Sequence, residues 1–157
     1  MAYKVFFSHS NADREWAKWI AKSAGGAGIE VYLYEHDPRP GVQIATKVKQ
    51  AIVDANSMVV LLTPNSSRSP YVQQEIGYAE ANHKLIIPLV CNQAQKPNLA
   101  MLEGREYVEF DQTNPGVALG ILRQYLQQKL KEQQAAIGTL LGLGSLIAAA
   151  FLFGSRK

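Results

Sequence analysis

The chain predicts an α/β fold, a doubly wound sheet of five parallel strands, followed by one apolar helix at its end. Three observations carry this. Short runs rich in aliphatic, aromatic and β-branched residues alternate with stretches whose apolar residues recur every three or four positions, the pattern of a parallel sheet covered by helices on both faces. Two of the runs, Met58 to Leu62 and Leu85 to Val90, are apolar throughout, as central strands buried on both sides must be. Ala135 to Gly154 forms an uncharged stretch of 20 residues.

The elements follow in order. Tyr3 to Phe7 reads as the first strand. Ser10 or Asn11 then caps a helix with Trp16, Trp19, Ile20 and Ser23 at helical spacing, ended by Gly25-Gly26-Ala27-Gly28. Ile29 to Tyr34 is the second strand, and Asp37-Pro38-Arg39-Pro40-Gly41 a turn before a helix with Ile44, Val48 and Ile52 in register. The third strand leads to a helix whose Val72, Ile76 and Ala79 face inward, the fourth follows, and Tyr107 to Phe110 is a weaker fifth. Pro115 to about Glu132 is the last helix of the domain, with Ala118, Ile121, Leu122, Tyr125 and Leu126 on its inner face. In the common five-strand, flavodoxin-like order, strands one and three are neighbours where the winding reverses, and ligands bind at their carboxyl ends. The loops bordering that crevice are Ser8-His9-Ser10 and Pro64 to Pro70.

One pair of residues stands beside that crevice. Tyr71 and Glu75 are four apart at the start of the third helix, so ring and carboxylate share a face, and Pro70 marks the first turn. Such a pair can stack on a base and stabilise a cation developing on a sugar. The simpler reading is a packed tyrosine and an acid complementing the helix dipole.

Other chemistries are thin. His9, His36 and His83 are not at metal-ligand spacing to one another, so no metal is expected. Cys91 is the only cysteine, which excludes a disulfide framework and suits a reducing compartment. Ser8-His9-Ser10-Asn11 is no phosphate-cradling glycine loop. Residues 1 to 122 carry 11 Lys and Arg against 12 Asp and Glu, whereas residues 123 to 157 carry 5 against 1. The basicity is confined to the end of the chain and suits anionic lipid headgroups, so no nucleic-acid partner is expected.

At this point Tyr3-Lys4-Val5-Phe6-Phe7-Ser8-His9 resembles the first signature box of Toll/interleukin-1 receptor (TIR) domains. Asp37-Pro38-Arg39-Pro40-Gly41 is similar to the Asp-x-x-Pro-Gly loop after their second strand. Ser69 to Glu75 resembles the segment that in NAD-cleaving members, including prokaryotic ones, carries an aromatic residue four positions before a catalytic glutamate. Lys4 replaces the acid usual in the first box, Tyr71 and Val72 stand where many members have Trp and Cys, and there is no convincing third box. The resemblance covers about residues 1 to 130 and implies the TIR fold. It further implies an NAD glycohydrolase or cyclase with Glu75 catalytic, Phe7, Ser8, His9, Arg39 and Tyr71 binding substrate, and NAD as substrate with no cofactor. Residues Asp37, Pro38, Arg39, Pro40 and Gly41 would form a protein-interaction loop, with self-association switching on a function in prokaryotic anti-phage defence. The alternatives are a non-catalytic TIR adaptor scaffold, and a nucleoside hydrolase or deoxyribosyltransferase using the same carboxylate.

The uncharged stretch completes the expectation. At about 1.5 Å per residue, 20 residues span roughly 30 Å, the thickness of a bilayer core. The sequence thus predicts a TIR domain over 1–130, a helical connector over 131–134, a transmembrane helix over 135–154 and a basic tail over 155–157. Met1-Ala2-Tyr3 shows no basic, apolar leader, and three residues follow the run, which predicts a tail anchor. The expected location is the inner membrane, single-pass, with the TIR domain facing the cytoplasm and membrane lipids as partners. Gly138 and Gly142 are spaced for close helix pairing.

Overall fold

The computed structural model describes residues 1–36, 38–92 and 102–153. Five strands, β1 (Tyr3–Ser8), β2 (Ile29–Tyr32), β3 (Ser57–Leu62), β4 (Leu85–Cys91) and β5 (Val108–Phe110), form one sheet in the order β2-β1-β3-β4-β5, with every pair parallel. The helices are α1 (Arg14–Ala24), α2 (Ile44–Asp54), α3 (Pro70–Ala81) and α4 (Pro115–Phe153), with short 3-10 turns at Asn11–Asp13, Tyr34–His36 and Ser66–Arg68. The second strand is shorter than its apolar run suggested, because the chain turns at Tyr34.

Two cores lie on opposite faces of the sheet. Strand alternation assigns their members. Val5, Phe7, Val59, Leu61 and Leu89 face α1 and α4, meeting Ile20, Leu122 and Leu126. Phe6, Met58, Val60, Leu62 and Val90 face α2 and α3, meeting Val48, Ile52, Val72 and Ile76. At about 25 cal/mol per Å² of apolar surface, these two layers supply most of the drive to fold. Ile121, expected on an inner face, is 50% exposed; Ile44 and Trp19, at helical spacing with buried residues, are 64% and 40% exposed, Trp19 packing edge-on against Trp16 at 5.7 Å between rings. The face of α1 that is buried runs through Ala17, Ile20, Ala21 and Ala24.

α4 docks through a close approach. Gly28 has φ +87°, and a Cβ there would stand 2.8 Å from Leu130 Cδ2, so the glycine supplies both a left-handed turn and room for the helix. The helix then runs on without a break at 131–134, for 39 residues in all. This corrects the reading of 135–154. Among the described residues no helix is long and apolar enough to cross a membrane, which overturns the predicted transmembrane helix and, with it, the single-pass inner-membrane location. The apolar stretch is not a separate element. It is the far end of a helix that carries Arg123, Lys129, Lys131 and Glu132 in its preceding turns and docks on the sheet through Ala118, Leu122 and Leu126. Gly138 and Gly142 have no neighbour within 4 Å of where a Cβ would sit, and the helix pairing and lipid contacts expected of this end are not shown. Gly154 and the tail 155–157 lie outside the described residues.

Candidate active site

The crevice forms where the winding reverses. β1 and β3 are adjacent, and their carboxyl ends deliver the loops that lead into α1 and α3. Asp13 ties these loops together: it is buried and accepts from Ser10 Oγ at 2.6 Å, Thr63 Oγ1 at 2.5 Å and Asn65 Nδ2 at 3.3 Å. Thr63 Oγ1 in turn accepts from the backbone N–H of Asn65 and Ser66. A carboxylate that satisfies this many donors holds two loops as one rigid unit.

α3 begins where its sequence signals it. Ser69 caps the helix, its Oγ accepting from Val72 N at 3.4 Å, and Pro70 occupies the first turn. From there Tyr71, Gln74, Glu75 and Tyr78 turn one face toward a cavity of about 330 Å³. The opposite wall is α2, through Ile44, Ala45, Val48, Lys49 and Ile52, and the end nearest the sheet is closed by His9, Asn11 and Tyr34.

Glu75 is the carboxylate in that cavity. Ser8 Oγ donates a short hydrogen bond to its Oε2. Its carboxyl is pushed up to about 7, chiefly by burial; the Ser8 hydrogen bond works against this, and the nearby Glu35 adds to it. Tyr71 stands at the rim, 75% exposed, one turn before Glu75 on the same face. An ionisable acid flanked by an exposed ring can hold a flat cationic group and stabilise positive charge beneath it.

The predicted site residues separate by strand alternation. Ser8 and Phe6 share the face of β1 that looks toward α2 and α3, so Ser8 reaches Glu75. Phe7 points the other way and is buried in the core beneath α1 and α4, so it does not line the cavity. His9 does line it, with Nδ1 2.8 Å from Ser10 O and Nε2 3.0 Å from Glu35 Oε1. The latter approach is not aligned as a hydrogen bond, and both Glu35 oxygens are buried without one. Pro38, Arg39, Pro40 and Gly41 form an exposed turn away from the cavity, with Gly41 at φ +84°; Asp37 lies outside the described residues.

Sequence reasoning missed Glu35, Tyr34, Lys49, Tyr78 and Asp13. Tyr34 donates to Asn11 Oδ1 at 2.9 Å and stacks on His9 with ring centroids 6.3 Å apart. Burial and then the Glu35 charge raise its phenol above the ordinary range. Tyr78 carried a usable signal, since positions 71, 75 and 78 lie at helical spacing on one face. Among the described residues no cluster of His, Cys, Asp and Glu could hold a metal ion.

The TIR domain family profile matches residues 5–122, three quarters of the chain. The chain belongs to the TIR domain family. Among curated proteins, this TIR domain is similar to a probable 2′ cyclic ADP-D-ribose synthase of Brachypodium distachyon, 27% identical over 89 residues, which is 55% of this chain and 40% of that protein. The chain therefore spans less than half the length of that relative. Among solved structures, it is similar to the TIR domain of a Toll-related receptor of Hydra magnipapillata, with a TM-score of 0.58 and 20% identity over 84% of this chain and 98% of the other. It is also similar to a CMP N-glycosidase of Clostridium botulinum, with a TM-score of 0.57 and 20% identity over 78% of this chain and 98% of the other. At these identities the two structures establish a shared fold.

Proposed function

We propose that this TIR domain breaks the bond between nicotinamide and ribose in NAD, with Glu75 as the catalytic carboxylate. The observation that supports it most directly is a half-buried glutamate, hydrogen-bonded by Ser8, in a cavity at the reversal of the sheet. The relative described as a cyclic ADP-ribose synthase supports the same chemistry.

The steps follow from charge. The nicotinamide ring of NAD is cationic, so when the glycosidic bond breaks the electron pair returns to the ring and a neutral group leaves. Positive charge passes to C1′ and the ring oxygen of the ribose, and ionised Glu75 stabilises it there. Water, or a hydroxyl elsewhere on the same molecule, then adds to C1′ and gives up its proton, yielding ADP-ribose or a cyclic product. Tyr71 stacks on the substrate from the rim, His9 borders its ribose, and Ser8 holds the Glu75 carboxylate from behind. No cofactor takes part.

Self-association through the Pro38 to Gly41 turn, and a role in defence through NAD depletion or a cyclic signal, belong to the same reading. The exposed turn with two prolines and a left-handed glycine is suited to presenting a rigid surface. An adaptor scaffold requires no carboxylate in a cavity; a nucleoside hydrolase does. Nicotinamide release from NAD by the purified chain tests the reading directly. Turnover that disappears in Glu75→Gln upholds it, and no nicotinamide from any preparation, concentrated or dilute, sinks it.

A further inference from the structure

The cavity is lined by groups of opposite charge. Glu75 stands on its α3 wall, with Glu35 close enough to shift it. Lys49, on the α2 wall, is the only Lys or Arg among the described residues that line it. Its Nζ lies 5.6 Å from the centroid of the Tyr78 ring, and among the described residues it makes no ion pair. A ring face steers an ammonium without neutralising it.

We propose that Lys49 forms a phosphate subsite, so that the cavity takes ribosides carrying a 5′-phosphate, mononucleotides or dinucleotides, in preference to free nucleosides. This deepens the glycosidic-cleavage reading and rests on it. Glu75 and Tyr78 are three residues apart and therefore neighbours on α3. A ribose held with C1′ at Glu75 and its 5′ carbon directed along α3 carries its phosphate toward Lys49.

The competing anion sites are occupied or misplaced. The first turn of α3 is a poor phosphate cradle, because Pro70 has no N–H, Ser69 Oγ takes the N–H of Val72, and the N–H of Gln73 bonds Ser69 O. Lys47 donates to Tyr34 O at 3.0 Å and lies over the Tyr34 ring. Arg39, expected from the sequence to contact phosphate, sits in the exposed turn outside the cavity lining. Beside Glu75 a phosphate would meet that carboxylate, with the buried Glu35 behind it adding to the repulsion.

The test compares NAD, nicotinamide mononucleotide and nicotinamide riboside on the wild type, Lys49→Met and Lys49→Arg. A charge-assisted contact to phosphate is worth about 10-fold or more in affinity. The preference of the wild type for mononucleotide over riboside, as a ratio of kcat/KM, should fall by roughly 10-fold in Lys49→Met and recover in Lys49→Arg. An unchanged ratio overturns the subsite. If the wild type cleaves none of the three, the cleavage reading falls by itself, and calorimetric binding of mononucleotide and riboside decides the subsite. Mononucleotide affinity lost in Lys49→Met upholds the subsite, and equal affinity in both proteins overturns it.

Discussion

Ser8 Oγ donates to Glu75 Oε2 across 67 positions of sequence, joining the last residue of β1 to the second turn of α3. Among the described residues this bond is the one direct side-chain hydrogen bond between the first strand and the acid in the cavity. It also works against the effect of burial on that acid, since a donated hydrogen bond favours the charged form.

Replacing Glu75 with Gln should lower nicotinamide release by about 10²-fold or more, because one stabiliser of developing charge is lost. The same change should stabilise the fold. The Glu75 carboxyl holds its proton up to about 7 in the folded chain against 4.5 when free, so the folded state binds more protons than the unfolded state between those values. Stability therefore falls as pH rises through that window. At pH 8 the variant should melt a few degrees above the wild type, and the gap should close near pH 4, as thermal denaturation would read.

The rate should rise with pH through about 7 as Glu75 ionises. Ser8→Ala removes the bond that favours ionisation and should move this limb to higher pH. A limb that stays in place, measured as kcat/KM against pH, would show that another group controls the rise.

Tyr71 and Phe7 should separate binding from folding. Tyr71→Ala, at the exposed rim, should raise KM by roughly 10-fold, the worth of a stacked ring, and leave the denaturation midpoint nearly unchanged. Phe7→Ala, buried under α1 and α4, should cost about 3–5 kcal/mol of stability. The paired comparison is urea denaturation beside initial rates.

Gly28→Ala forces a side chain into a left-handed turn and against Leu130, and should cost about 1–3 kcal/mol. In a Leu130→Ala background the packing part of that penalty should vanish while the backbone part persists. A double-mutant cycle in denaturant measures the difference.

Much of the fold was legible because its signals are local. The apolar runs of β3 and β4, the Ser69-Pro70 start of α3 and the helical spacing of Val72, Ile76 and Ala79 each express a short-range rule. That Glu75 and Tyr71 share one face was legible for the same reason, the two being one turn apart. Glu35 and Lys49 were not, because their relation to Glu75 exists only once three separate segments meet. Phe7 was expected in the site with Ser8 from the family resemblance, whereas alternation along the strand sends the two to opposite faces. The membrane reading rested on the length of 135–154 and its lack of charge. The structure makes it the distal part of a helix whose charged and glutamine-rich turns come first.

The division of β1 between two cores has an evolutionary consequence. Tyr3, Val5 and Phe7 answer to one layer of helices, while Phe6 and Ser8 answer to the other, which holds the cavity. Substitutions beneath α1 and α4 can therefore drift, each compensating the last, without passing through the chemistry. A single inserted residue early in β1 has no such freedom. It would exchange the two sets at a stroke, withdrawing the serine from the glutamate and driving an aromatic ring into its place.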